Sequence, residues 1–208
     1  MKKQISENVI QRLPKYYRYL KELTDNKISR ISSKTISEAL NLTASQVRQD
    51  LYQFGGFGSK GYGYDAEYLK NSIKEILGLD KTHTAIIIGG GRIGQALANY
   101  KGFIQENVFV KAIFDIETTH IKNIEGVEIL SADKLESYLQ DNVVDIAIIA
   151  VQKEIAEKTS QKAVDLGVKA IWNFAPIDLR FDSAVCENIN MSESLMRLIY
   201  KTQKSERG

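Results

Sequence analysis

The sequence is poor in the residue types that build disulfide scaffolds and metal centres. Its 208 residues include one cysteine, Cys186, and two histidines that lie far apart, His83 and His120. This scarcity excludes an internal disulfide framework and argues against a Cys/His metal site. No apolar run approaches the roughly 18 residues of a membrane-spanning helix, and the N-terminus lacks the apolar core of a secretory signal. We therefore expect a soluble, cytoplasmic protein without a bound metal.

Charges of opposite sign nearly cancel over the whole chain but not within it. The 28 basic and 26 acidic residues leave a formal charge of +2, yet residues 1–64 contain eleven basic and five acidic residues. A basic segment joined to an acidic remainder is typical of a polyanion-binding part attached to a second domain. Charge alone favours a simpler interpretation, a solvated basic face.

Helical periodicity in the basic segment changes that balance. In residues 8–24, apolar side chains recur at spacings of three and four, and Pro14 is expected to bend or restart the helix. The apolar positions of this helix are Val9, Leu13, Tyr16, Tyr17, Leu20 and Leu23. A shorter helix is predicted to end near Leu40, with a tight turn at Asn41 and Leu42.

Two pairs of residues have the spacing of capping boxes, Thr35 with Glu38 and Thr43 with Gln46. They predict the starts of the second and third helices. Helix, short helix, turn and helix is the order of a helix-turn-helix, whose last helix enters the major groove of DNA.

The third helix has side chains suited to base edges and phosphates, although an ordinary polar face is the alternative. They are Ser45, Gln46, Arg48 and Gln49. Five glycines alternate with four aromatic residues over 54–64. This segment predicts a two-stranded wing, with Ser59 and Lys60 placed to meet the DNA backbone or minor groove, rather than a flexible linker.

A glycine-rich loop follows a buried strand pattern at 85–88 and precedes a helix predicted to include Tyr100. Its residues are Gly89, Gly90, Gly91, Arg92, Ile93 and Gly94. This G-x-G-x-x-G pattern, in its strand–loop–helix context, is typical of dinucleotide binding. Gly89 permits the tight turn, Gly91 lets the backbone approach a pyrophosphate, and Gly94 lets the helix pack closely on the strand.

A second strand, 108–115, ends in Asp115, at the spacing of the acid that binds the adenosine ribose hydroxyls. No basic residue follows immediately, so NAD is favoured over NADP; a plain strand-end residue is the alternative. Further strands at 127–130, 144–151 and 168–174 alternate with helices. The pattern predicts a doubly wound parallel sheet.

Neither histidine, nor Cys186, is placed as a catalytic group beside the nicotinamide, so binding is favoured over turnover. Two alternatives remain open: an NAD-dependent oxidoreductase, and a regulator that binds coenzyme A or another nucleotide. Residues 187–201 form an amphipathic segment. It is expected either to contact a second subunit or to fold back on its own sheet.

Several segments in order resemble the Rex family of redox-sensing transcriptional repressors: LPKYYRYL, ISSKTISEAL, SQVRQDLYQFGGFGSKGYGYD, IIIGGGRIGQALANYKGF, KAIFD and GVKAIWNFAPIDL. The resemblance implies an α/β homodimer with an N-terminal winged helix-turn-helix domain (1–80), a C-terminal Rossmann domain (81–186) and a swapped C-terminal helix (187–208). It implies binding to a palindromic operator and release from it when NADH binds. The genes controlled would be those of NADH reoxidation, fermentation or respiration.

The resemblance also implies roles for individual residues. Arg48 and its neighbours would read the groove, and the glycine loop with Asp115 would bind NAD(H). The family's switch cluster is an arginine of the first helix, a tyrosine after the loop and an aspartate before the swapped helix. Arg18 and Tyr100 match it, whereas Asn190 replaces the aspartate. Met191 is expected to line the nicotinamide pocket, and Gln49 stands where many members have lysine.

Overall fold

A computed structural model describes residues 5–53, 58–59 and 63–205 of the chain. The chain forms two compact units, Met1–Lys81 and Thr82–Gly208. Each has its own hydrophobic core: one cluster in the first unit, and one on either face of the sheet in the second.

The first unit is a helical cluster with a small antiparallel sheet. Its helices are α1 (Glu7–Ile10), α2 (Leu13–Asp25), α3 (Ser33–Leu40), α4 (Ala44–Gln53) and α5 (Ala66–Ile76). Its strands are β1 (Arg30–Ile31), β2 (Gly58–Ser59) and β3 (Gly63–Asp65), in the order β1-β3-β2. Antiparallel pairing of β2 with β3 confirms the predicted ribbon. The sequence did not predict β1. Residues 54–57 and 60–62 of the wing, including Lys60, lie outside the described residues.

The first helix pattern is confirmed, with a break. Pro14 lies in the first turn of α2, where its missing N–H needs no intrahelical partner, so the helix restarts after α1. All six predicted apolar residues of this stretch are buried. They pack against Ile36 of α3, Val47 and Leu51 of α4, and Ile73 of α5.

One predicted capping box is wrong and the other is half right. Ser32 caps α3 by accepting a hydrogen bond from the backbone N–H of Thr35 (3.0 Å), so Thr35 lies inside the helix. Several neighbouring hydroxyls compete for this role, and sequence spacing does not choose among them. Thr43 does cap α4, accepting from the N–H of Gln46 (3.1 Å). The Gln46 side chain turns to Asp50 instead of returning to Thr43.

The second unit is built on six parallel strands. They are β4 (His83–Ile88), β5 (Val108–Asp115), β6 (Glu128–Ser131), β7 (Ile146–Ile149), β8 (Ala170–Asn173) and β9 (Val185–Asn188). Their spatial order is β6-β5-β4-β7-β8-β9. This is the doubly wound dinucleotide-binding arrangement, with the order reversing beside β4.

Helices connect these strands. They are α6 (Arg92–Ala98), α7 (Gly102–Gln105), α8 (Leu135–Asp141) and α9 (Lys153–Asp165), with a 3₁₀ turn at Ala132–Lys134. A further helix, α10 (Met191–Ser205), follows the last strand. Two expectations need correction. Helix α6 ends at Ala98, so Tyr100 lies in the connection to α7, and the expected boundary at 186/187 falls inside β9.

Helix α10 presents large apolar side chains to solvent. They are Met191, Leu195, Met196, Leu198, Ile199 and Tyr200, all at least 49% exposed. Every residue of this helix from 191 to 203 is exposed. The helix therefore does not fold back on its own sheet, which removes one of the two alternatives for this segment.

Candidate functional site

The glycine loop between β4 and α6 cannot take side chains at two of its positions. Gly89 has a φ of +107°, and a Cβ there would overlap the carbonyl of Ala150. A Cβ on Gly94 would overlap the carbonyl oxygen of Gly89. The first glycine makes the turn and the last brings α6 against the strand, as their positions in the pattern predict.

Gly91 differs from both because its surroundings are empty. A Cβ built there has no heavy atom within 4 Å, and the residue directly precedes α6. Packing within the protein therefore does not require glycine at this position. In the dinucleotide pattern, this is the glycine that lets a ligand approach the backbone.

Asp115 at the end of β5 faces this loop. Its Oδ2 accepts a hydrogen bond from the N–H of Gly90, and its Oδ1 accepts from the N–H of Glu117 (3.0 Å). The carbonyl of Gly90 accepts from Nε2 of Gln95 (2.8 Å) and lies 3.2 Å from Nε2 of His120. Both backbone polar groups of Gly90, its N–H and its carbonyl, are thus held by side chains. The sequence did not predict Gln95 in this role.

Tyr100 stands at the end of a row of aromatic rings. Its ring centroid lies 5.0 Å from that of Phe103, which lies 5.6 Å from Trp172, which lies 4.8 Å from Phe174. All three contacts are edge-on, the arrangement that aromatic pairs favour. Tyr100 is 60% exposed. The row anchors an exposed tyrosine to the face of the sheet, which spacing along the chain does not reveal.

Two asparagines fasten the loop that follows β8. The amide nitrogen of buried Asn173 donates to the carbonyl of Ile177 (2.6 Å) and to Oδ1 of Asn188 (2.8 Å), and its oxygen accepts from the N–H of Ala175 (2.9 Å). Asn188 exchanges two hydrogen bonds with the backbone of Leu179. Because the strands are parallel, this loop and the glycine loop share the carboxyl edge of the sheet.

Asn190 caps helix α10. Its Oδ1 accepts from the N–H of Glu193 (3.2 Å), and its Nδ2 lies 3.4 Å from Oε1 of the same residue. Glu193 also pairs with Arg197 (3.4 Å). Asn190 is therefore the N-cap of α10, a role that asparagine and aspartate fill about equally well.

The predicted DNA-reading residues divide into two groups on α4. Ser45, Arg48 and Gln49 are exposed, and Nη1 of Arg48 donates to the hydroxyl of Ser33 at the start of α3 (3.2 Å). Gln46 is half-buried, and its amide donates to Oδ1 of Asp50 (2.8 Å). Ser59 lies on strand β2 of the wing.

The three predicted switch residues are divided between the two units. Arg18 is exposed on α2 in the first unit, whereas Tyr100 and Asn190 lie in the second.

Asp50 is the one buried carboxylate in the described part of the chain. Burial by itself would raise its pKa, but hydrogen bonds from Arg12, Gln46 and Tyr16 outweigh burial and lower it. Its ionised form is therefore part of the folded first unit.

A pH dependence of stability follows from the lowered pKa of Asp50. The contribution of this carboxylate is present above its pKa in the unfolded chain, about 3.9, and is lost as the pH falls through the lower folded-state value. We expect the difference in unfolding free energy between the wild type and Asp50→Asn to shrink on acidification from about pH 5 to about pH 2. Urea unfolding across this range measures it, and a constant difference would contradict the assignment.

His83 and Cys186 are poorly suited to catalysis at the glycine loop. His83 begins β4, at the amino edge of the sheet, opposite the glycine loop. Burial raises the pKa of the Cys186 thiol, and the nearby carboxylates of Glu187 and Asp178 raise it further, so the thiol is a poor nucleophile.

Among the residues that the structure describes, no His, Cys, Asp and Glu side chains cluster as metal ligands. Nor is any described helix long and apolar enough to cross a bilayer.

Family models match both units. Residues 4–51 match the N-terminus of a putative DNA-binding protein, and residues 80–177 match a CoA binding domain. The chain is 48% identical over 204 residues to the redox-sensing transcriptional repressor Rex of Caldanaerobacter subterraneus subsp. tengcongensis, covering 97% of this chain and 91% of that protein. It is 51% identical to Rex of Clostridium novyi, covering 96% of each. The chain belongs to the Rex family of redox-sensing transcriptional repressors.

Solved structures of the Rex-family repressor RSP have the same fold. The crystal structure of RSP with β-NAD⁺ and operator DNA aligns with a TM-score of 0.91 and 46% identity, covering 98% of this chain and 94% of RSP. The structure of RSP with β-NADH aligns with a TM-score of 0.87 and 44% identity, covering 97% and 96%. The Rex relatives are transcriptional repressors and not enzymes, which answers the oxidoreductase alternative.

Proposed function

We propose that this Rex-family chain is a transcriptional repressor that binds a palindromic operator and leaves it when NADH binds. One observation carries the proposal: the chain joins a helix with exposed polar side chains, α4, to a glycine loop of the dinucleotide-binding type. Its relative RSP was solved with NAD⁺ and operator DNA, and separately with NADH. The genes it controls would be those of NADH reoxidation, fermentation or respiration, and its place of action the cytoplasm.

The nucleotide would bind at the carboxyl edge of the sheet. The proposed contacts are Gly89, Gly90, Gly91, Arg92, Ile93, Gly94, Tyr100, Asp115 and Met191. An ionised carboxylate accepts about four hydrogen bonds, so Asp115 keeps capacity for ribose hydroxyls while it holds Gly90 and Glu117. The same negative charge would repel the ribose 3′-phosphate of coenzyme A. This favours NAD(H), although the matching family model is described as a CoA binding domain.

The DNA would be met by the exposed side of α4 and by the wing. We propose Ser45, Arg48 and Gln49 as groove contacts, with Ser59 and Lys60 reaching the backbone or minor groove. Gln46 lies on the same helix but is already bonded to Asp50. The net positive charge of residues 1–64 suits a polyanion.

A second copy of the chain would cover the exposed apolar side of α10. In a homodimer in which this helix packs on the partner, each subunit would supply one α4, so that the two α4 helices could bind the two half-sites of a palindrome. The proposed domains are 1–80, 81–188 and a dimerisation segment that follows β9, which ends at Asn188.

The switch would use Arg18, Tyr100 and Asn190. NADH shifts the equilibrium away from DNA only if it binds the released arrangement more tightly. Asn190 offers a neutral acceptor where the family has a charged one, so its bond to an arginine would be weaker than an arginine–carboxylate ion pair. Asn190 retains the other role that an aspartate would fill, the cap of α10.

Operator binding titrated separately with NADH and NAD⁺ at fixed salt tests the proposal. We expect NADH to release a palindromic duplex and NAD⁺ to leave it bound. A protein that binds the duplex but responds to neither nucleotide would refute the sensing role. A protein that binds no duplex would refute the repressor function altogether.

A further inference from the structure

Asp50 receives four hydrogen bonds on the inner side of helix α4. Arg12 donates from Nε to Oδ2 (2.7 Å) and from Nη2 to Oδ1 (2.8 Å). The hydroxyl of Tyr16 donates to Oδ2 (2.8 Å), and the amide of Gln46 donates to Oδ1 (2.8 Å). These donors occupy about all the acceptor positions of a carboxylate.

The four bonds join two helices. Arg12 directly precedes α2 and Tyr16 lies in its first turn, whereas Gln46 and Asp50 are one turn apart on α4. A bidentate arginine–carboxylate pair requires a defined relative orientation of its two side chains, whereas the apolar contacts around it do not. The carboxylate therefore fixes how α4 is rotated and inclined on α2.

The side-chain amide of Gln46 is occupied by its hydrogen bond to Asp50. If it turned outward to reach a base, the buried carboxylate would lose one donor, and a buried acceptor left short of partners costs free energy. Arg48 and Gln49 are not among the hydrogen-bond donors to Asp50, and both lie on the exposed side of the helix. Gln46 and Gln49 therefore lie in different environments, three residues apart on α4.

We propose that Gln46 positions the recognition helix α4 and does not read bases, acting together with Asp50 and Tyr16. This inference rests on the proposed DNA-binding function. Base discrimination then belongs to three of the exposed side chains of the helix: Ser45, Arg48 and Gln49.

The two glutamines provide a matched pair of variants. The full-length wild type first selects its duplex from a randomised palindromic pool, and a panel is made with symmetric single-base-pair changes. Fluorescence anisotropy at fixed salt then compares Gln46→Ala with Gln49→Ala. We expect Gln46→Ala to weaken binding to every duplex by one common factor, about two- to tenfold. Gln49→Ala should change the preference at one position by about fivefold or more.

Tyr16→Phe adds a variant that cannot touch DNA, because Tyr16 is fully buried. It removes one donor to Asp50, and we expect the same uniform loss of affinity with an unchanged salt slope, since no phosphate contact is removed. Tyr19→Phe on the same helix is the control and should bind like the wild type. Thermal unfolding checks that all variants are folded.

The inference is overturned if Gln46→Ala changes base preference at one position as Gln49→Ala does. It is also overturned if folded Tyr16→Phe binds the whole panel like the wild type. A wild type that selects no duplex refutes the proposed function itself, and the positioning role with it.

Discussion

Gly94→Ala should abolish nucleotide binding and destabilise the second unit. The new Cβ would overlap the carbonyl oxygen of Gly89, which is backbone and cannot turn aside. Overpacking of this kind costs about 1–3 kcal/mol. It would also displace the loop that meets the pyrophosphate. If two hydrogen bonds to the charged phosphates are lost, NADH affinity falls on the order of 100-fold or more.

Gly91→Ala is the matched variant, because it adds the same methyl group to open space. We expect the unfolding free energy without nucleotide to be unchanged or raised by up to about 1 kcal/mol. NADH binding should still weaken, on the order of tenfold, because the methyl group occupies the approach of the ligand. Calorimetric titration and thermal unfolding separate the two effects. Normal NADH binding by Gly91→Ala would show that the nucleotide does not approach this position.

Ile199→Glu should convert the proposed dimer to monomers and weaken operator binding on the order of 100-fold or more, the usual loss when two linked sites become independent. Ile199 is 49% exposed in the single chain, so the substitution has little reason to unfold it. In a symmetric dimer, a partner helix face would bury the charge twice. Sedimentation and anisotropy measure the two effects.

Ser194→Glu is the control for the same helix and the same change of charge. Ser194 lies five residues earlier, about 140° around the helix from Ile199 at 3.6 residues per turn. We expect it to remain dimeric. A dimeric Ile199→Glu protein with normal operator affinity would exclude the apolar side of α10 as the subunit contact.

The parts of the fold that could be predicted from sequence are those fixed by strong local patterns. Strand β5 occupies residues 108–115, as its apolar run, interrupted only by Lys111, predicts. Pro14 and Asn41 mark helix boundaries because each restricts the backbone locally. The glycine loop was predictable for the same reason, since its first and last glycines answer steric requirements.

Features that depend on contacts distant in sequence could not be predicted. Strand β9 is only four residues long and contains Glu187, so no apolar run marks it. The bond between Arg12 and Asp50 joins residues 38 apart. Neither residue has a local partner that would indicate the pair. The inward turn of Gln46 follows from that buried carboxylate and was equally hidden.

The coupling between the two ligands is the central claim, and reciprocal titration tests it most directly. NADH affinity is measured by calorimetry for the free protein and for the protein saturated with its selected operator. Because coupling is reciprocal, operator DNA must weaken NADH binding by the same factor by which NADH weakens DNA binding. We predict equal factors greater than one. Identical NADH affinity with and without operator would contradict the account.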